Sequence, residues 1–292
     1  MTNKSHLLTL SDGRNLEIFD NGVESSAALL MLHGNPGVGE IWWTWLDYAA
    51  SKGVRAIAVS RPGYFRSDRK EGRRVIDVNA DWQELFDQCG VTEFVSIGWS
   101  AGSPYASASS FLNGNKGVNL VGAVASLSLM GAEAFGAGSE NPIEDDLAAA
   151  ASLDAALAQF EGLPEQMAGF EKSFFEDFAP TRDSYAANAE HYEAIRPHFA
   201  KMATDALTSP IGVSEDLHMI MKDWGFSPAD VSASVNVWQG MSDRSTPLSH
   251  GEWLASNLGN AKLHEMAEQG HSTIIIECRD EIVDAAIEML KA

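Results

Sequence analysis

The chain has 292 residues, 45% apolar and 21% charged, an ordinary composition for a globular protein of one or two domains. Twenty basic residues face 41 acidic ones, and a net charge of −21 argues against phosphate backbones and anionic membrane surfaces as partners. Cys89 and Cys278 are too few for a disulfide framework, no run approaches the ~18 apolar residues of a membrane span, and the first residues show no leader pattern, so a cytoplasmic protein is expected.

In chain order, residues 7–22 read as two short strands broken by the Ser11-Asp12-Gly13 turn signal. Residues 27–32 form an apolar run ending at His33-Gly34, the pattern of a strand buried on both faces. The same pattern recurs at 55–60, 93–98, 120–130 and 234–239, with a weaker strand at 262–266. Helix-like stretches at 40–50, 75–88, 101–112 and 272–290 alternate with these strands, which predicts an α/β fold with a mostly parallel sheet and helices on both faces. Between about 131 and 233 the rhythm breaks. That segment carries helical stretches such as 147–160 and 169–178, punctuated by Pro142, Pro164, Pro180, Pro197, Pro210 and Pro228. The expected organisation is therefore a core from 1–131 and 234–292, interrupted by a helical cap at 132–233.

Gly98-Trp99-Ser100-Ala101-Gly102 fits G-x-S-x-G, and its context gives the motif weight. A predicted strand runs straight into it and a helical stretch follows, a hairpin that lifts a serine hydroxyl above the sheet. A serine hydroxyl is a poor nucleophile at neutral pH and needs a base, which in turn needs an orienting acid. Asp243 lies just beyond the strand at 234–239, within Gly240-Met241-Ser242-Asp243-Arg244-Ser245-Thr246-Pro247. His271 follows the weak strand and precedes the last helix. The order Ser100, Asp243, His271 is one that hydrolases of this topology use, and all three fall at strand carboxyl ends, where open α/β sheets place ligands.

On these residues the chain resembles the cap-bearing α/β-hydrolase-fold serine hydrolases. The likeness spans nearly the whole chain and adds His33-Gly34-Asn35-Pro36-Gly37 after the third strand and Ser60-Arg61-Pro62-Gly63-Tyr64, with Ser67, after the fourth. It implies an oxyanion hole from the Asn35 and Ala101 amides. It also separates the chain from the dehalogenases and epoxide hydrolases of this fold, which carry aspartate where Ser100 stands. Some members take the acid from the end of the preceding strand, where Glu133 is a competitor; the Gly-x-x-Asp-x-x-x-Pro frame favours Asp243.

The expected pocket is apolar and lined by Trp99, Trp42, Phe135 and Trp224. His33 reads as a structural hydrogen-bonding residue, and Arg69, Lys70, Arg73 and Arg74 as a solvated basic loop. His264-Glu265-Met266-Ala267-Glu268 lacks the second histidine of a zinc motif, so no metal and no cofactor is expected. Glu133, Glu140, Glu144, Asp145 and Asp146 read as solvated charge. The alternative comes from a likeness of His33–Gly37 to prolyl aminopeptidases, whose cap carboxylates bind the substrate amine; Asn35 and the Trp99-Ser100-Ala101-Gly102 segment depart from that family. The expected function is acyl transfer from a small-molecule ester to water, with amide hydrolysis or C–C cleavage (as a hydrolase or a lyase) as alternatives. Exposed cap aromatics would suit a homodimer.

Overall fold

The structure, a computed structural model, describes residues 4–140, 142–160, 186–206, 208 and 210–292. Eight strands form one sheet: β1 (Lys4–Thr9), β2 (Asn15–Asp20), β3 (Ala27–Leu32), β4 (Arg55–Val59), β5 (Glu93–Trp99), β6 (Asn115–Val121), β7 (Val235–Gly240) and β8 (Ala261–Met266). Their order is β1-β2-β4-β3-β5-β6-β7-β8. β2 runs antiparallel to both neighbours, and every pair from β4 to β8 is parallel.

The helices are α1 (Trp43–Ser51), α2 (Asn79–Cys89), α3 (Ser103–Ser109), α4 (Leu127–Met130), α5 (Ala132–Gly136), α6 (Ile143–Ala151), α7 (Leu153–Gln159), α8 (Ala189–Ala206), α9 (Pro210–Ile220), α10 (Leu248–Asn257), α11 (Thr273–Glu277) and α12 (Arg279–Lys291). α1 and α12 cover one face of the sheet; α2, α3 and α10 cover the other. With both faces covered, Leu29, Leu30, Met31 and Leu32 of β3 are all buried, which is why the strand is apolar throughout instead of alternating.

The sheet prediction misplaces one strand. The strand expected at 120–130 lies earlier: β6 runs from Asn115 to Val121, and α4 begins at Leu127. The intervening Ala123, Val124 and Ala125 are apolar because they are buried, not because they pair. Side chains take their peptide N–H groups instead: Gln239 Oε1 at 2.9 Å, Ser103 Oγ at 3.1 Å and His250 Nδ1 at 3.1 Å.

Between β6 and β7 lie α4 to α9 and no strand among the described residues. The stretch at 147–160 is two helices broken at Ser152, whose Oγ accepts from the Ala155 N–H at 3.1 Å and caps the second one. The helical stretch expected at 169–178 lies outside the described residues. Pro197 sits inside α8 instead of ending it; Tyr192, Ile195, Phe199 and Met202 form that helix's buried stripe. α8 is tied to the core by Tyr192, which donates to Glu277 at 2.8 Å. His198 adds a second tie, stacking on Trp43 at 5.1 Å with its Nδ1 2.9 Å from Glu40. No helix among the described residues is long and apolar enough to cross a membrane.

Candidate active site

The Ser100 backbone has φ +52°, a left-handed conformation that a side-chain-bearing residue holds only under constraint. The constraint comes from β5 and α3 crossing tightly on either side. A Cβ on Gly98 would stand 2.4 Å from the Gly102 carbonyl oxygen, and one on Gly102 would stand 2.2 Å from that of Leu32. Only glycine fits at both positions, so the turn exposes Ser100 at the carboxyl edge of the sheet.

His271 meets this hydroxyl from the loop after β8, with its Nε2 3.0 Å from Ser100 Oγ. Its Nδ1 lies 2.9 Å from Asp243 Oδ2, beyond the end of β7. The Asp243 side chain is fully buried, and Oδ1 accepts the Ser245 and Thr246 peptide N–H groups at 2.9 and 2.8 Å. Burial by itself pushes this carboxyl upward, but the His271 imidazole and the Thr246 amide hold it below the ordinary aspartate value. The Thr246 hydroxyl stands 3.0 Å from both Asp243 Oδ2 and the Gly122 carbonyl, and 3.1 Å from His271 Nδ1. Glu133, the competing acid, is exposed on α5.

A cavity of about 270 Å³ opens over Ser100. Asn35, Ala101, Trp99 and Phe135 line it, as do Phe160, Phe199 and Met202 from the α7–α8 region and Leu217 and Ile220 of α9. Trp99 also holds the histidine loop, its indole N–H donating to the His271 carbonyl at 3.0 Å. Trp42 and Trp224, expected in the pocket wall, are elsewhere: both are fully buried packing residues. Trp42 packs edge-on against Trp45 at 4.8 Å, and Trp224 donates to the Ile220 carbonyl at 2.9 Å. Tryptophan satisfies a core and a pocket equally well, so its presence near a motif does not decide between them.

Two charged groups also depart from expectation. Asp146 lines the cavity, where burial and the neighbouring Asp145 push its carboxyl up to about 6. Arg73, expected in a solvated loop, is buried and pairs with Asp216 of α9 at 3.0 Å. Arg69, Lys70 and Arg74 reach Glu215, Asp81 and Asp77. His33 is buried, donates from Nδ1 to the Gly34 carbonyl at 2.7 Å and accepts the Arg61 N–H on Nε2 at 3.0 Å. Burial and the Arg61 charge keep the His33 ring neutral. Among the described residues no group of three or more His, Cys, Asp or Glu could hold a metal ion.

The sequence pattern of an alpha/beta hydrolase family matches residues 29–285. The chain belongs to the alpha/beta hydrolase family. This hydrolase is 24% identical, over 99% of its own length and 96% of the relative's, to the 2-hydroxy-6-oxo-6-phenylhexa-2,4-dienoate hydrolase of Comamonas testosteroni. Its fold matches an esterase from Exiguobacterium antarcticum with a TM-score of 0.73 at 18% identity, covering 99% and 100% of the two chains. It also matches an enol-lactonase from Burkholderia xenovorans with a TM-score of 0.68 at 16% identity, covering 98% and 100%. At these identities the structural likeness speaks for the hydrolase fold.

Proposed function

We propose that this hydrolase cleaves an ester or related acyl bond of a small, partly apolar substrate through a Ser100–His271–Asp243 triad and an acyl-enzyme. The observation that carries the reading is the unbroken hydrogen-bonded line from Asp243 through His271 to Ser100, opening on an apolar cavity. His271 Nε2 takes the Ser100 proton as Oγ attacks the carbonyl, and the oxyanion settles on the Asn35 and Ala101 peptide N–H groups. The imidazolium then gives its proton to the leaving oxygen. A water, deprotonated by the same nitrogen, resolves the acyl-enzyme and returns Ser100. Because the imidazole must be unprotonated to accept, turnover falls on the acid side. The helices between β6 and β7 act in this reading as a cap, supplying most of the apolar wall.

Two observations bear on the substrate. Among the described residues the cavity lining is mostly apolar, with Asp146 as its one carboxylate, which suits a substrate with a neutral acyl group. Asp146 in the lining gives a second reading, an amide hydrolase for amine-bearing substrates.

The test is a panel of p-nitrophenyl esters beside proline p-nitroanilide, with fluorophosphonate labelling of wild type and Ser100→Ala. Wild type should turn over short and medium acyl esters and take up one label. Ser100→Ala should stay folded, refuse the label and lose several orders of magnitude in kcat, roughly 10⁴–10⁶. A folded wild type inert to both esters and label sinks the proposal; preference for the anilide replaces it with the second reading.

A further inference from the structure

On α9 a second buried carboxylate, Asp216, collects five hydrogen bonds. Its Oδ2 accepts from Arg61 Nε at 2.9 Å, from Arg61 Nη2 at 2.5 Å and from the Tyr64 hydroxyl at 2.9 Å. Its Oδ1 accepts from Arg73 Nη2 at 3.0 Å and from the Tyr105 hydroxyl at 2.5 Å. The donors come from the loop after β4, the approach to α2, and α3, which follows directly on the Ser100 turn. All five side chains are buried.

What the hub holds matters more than the bonds it makes. Arg61 Nη1 donates to the His33 carbonyl, and Nη2 also reaches the Gly34 carbonyl at 3.2 Å, which accepts from His33 Nδ1 as well. The Gly34 C=O and the Asn35 N–H belong to one planar peptide unit, with the two groups pointing opposite ways. Gripping that carbonyl from the buried side therefore also fixes the direction of the Asn35 N–H, on a residue that lines the cavity. Two further contacts seat α9 on the same loop. Asn35 Nδ2 donates to the Val213 carbonyl at 2.8 Å, and Gly212 lies so flush on Gly63 that a Cβ there would stand 1.9 Å from its carbonyl oxygen. Without the Asp216 charge, Arg61 would keep the His33 and Gly34 carbonyls but lose its anion, and Arg73 would be left with Glu215 at 3.6 Å, so Arg61 would be held far less firmly.

We infer that Asp216 is a positioning residue for acyl transfer: by anchoring Arg61 it fixes the Gly34–Asn35 peptide, so that the oxyanion hole is completed by the docking of α9. This rests on the proposed reading of Ser100 as nucleophile and the Asn35 amide as oxyanion donor. It makes that donor conditional on a helix that contributes no atom to the reaction.

The test compares wild type, Asp216→Asn and Tyr105→Phe, each checked for folding by circular dichroism, on a p-nitrophenyl ester. Two inhibitors accompany the substrate: a trifluoromethyl ketone that forms a tetrahedral adduct with an oxyanion, and an amide of the same acid that binds without reacting. A misaimed donor lowers kcat and affinity for the ketone together, while KM and affinity for the amide hold, a split that loss of folded protein does not produce. Expected losses are about a hundredfold in kcat for Asp216→Asn and about threefold for Tyr105→Phe, with ketone affinity falling in parallel. If Asp216→Asn does not fold, Tyr105→Phe alone decides. Folded variants with kcat and ketone affinity within 1.5-fold of wild type (roughly the assay error set against these effects), or with ketone and amide affinity weakened equally, overturn the inference alone. A wild type inert to ester and ketone overturns the reading of the site, and this inference with it.

Discussion

Two buried aspartates, Asp243 and Asp216, sit in the same protein under opposite arrangements. Asp243 accepts two peptide N–H groups and faces one imidazole, a kind of side chain that can take up and release a proton. Asp216 is enclosed by two guanidinium groups and two phenols, none of which changes charge near neutral pH. For both, burial alone would raise the carboxyl, and the surrounding donors hold it below the ordinary aspartate value. The difference lies in the partners. A carboxylate facing a titratable group can stabilise a charge that comes and goes; one locked between permanent cations can only hold elements in place.

The sharpest way to break this comparison is Asp243→Asn. The amide keeps the packing and one acceptor, but it no longer balances the imidazolium and it favours the wrong tautomer of His271. The expected loss is about 10⁴ in kcat with a far smaller change in thermal midpoint, read from steady-state kinetics and calorimetry. An Asp243→Asn protein within tenfold of wild type would mean that another acid orients His271.

Asp216→Asn should show the opposite balance. Removing one partner of a buried ion pair costs about 3–5 kcal/mol, since both arginines stay buried and under-compensated. For a chain of this size that is a fall of roughly 6 °C or more in the melting temperature. The acid limb of stability carries the same signature. A carboxyl held low in the folded state stabilises above its unfolded value of 3.8 and loses that contribution as pH falls through its folded one. Urea titrations below pH 4 should therefore find wild type losing its advantage over Asp216→Asn. A variant as stable as wild type at pH 7 would reduce the hub to a replaceable polar cluster.

How far each aspartate was legible follows from the reach of its contacts. Asp243 sits directly after a strand in a local frame, and strand ends converge in any parallel sheet, so Ser100, Asp243 and His271 could be singled out despite their distance in the chain. The fold was legible for the same reason: β3, β4, β5 and β7 are short apolar runs whose burial on both faces writes itself into composition. Asp216 has no such frame, for its partners lie 111 to 155 residues away. One local signal existed. Asp216 falls three residues after Val213 and four before Ile220, a charge on the apolar stripe of a helix, which requires buried partners. Read beside the arginines at 61 and 73, it would have moved Arg73 from the solvated loop into the interior. Trp42 and Trp224 mark the other limit: position near a motif cannot tell a cavity wall from the packing behind it.

A third aspartate sharpens the comparison with the smallest effect. Among the described residues Asp146 has neither a cation nor an imidazole against it; burial and Asp145 raise its carboxyl to about 6. Its linkage sign is therefore reversed relative to the other two. The folded state holds the proton more tightly than the unfolded chain, so stability is fully present below about 3.8 and declines as pH rises to about 6. Asn, which needs no proton, should stabilise the protein at pH 7–8 and lose that advantage near pH 4. Partial exposure of the side chain limits the gain to on the order of 1 kcal/mol. Paired urea melts at pH 7.5 and pH 4 read it directly. If Asp146→Asn is less stable than wild type at pH 7.5, the carboxylate has a partner that outweighs its burial, and the electrostatics of the cavity must be redrawn around it.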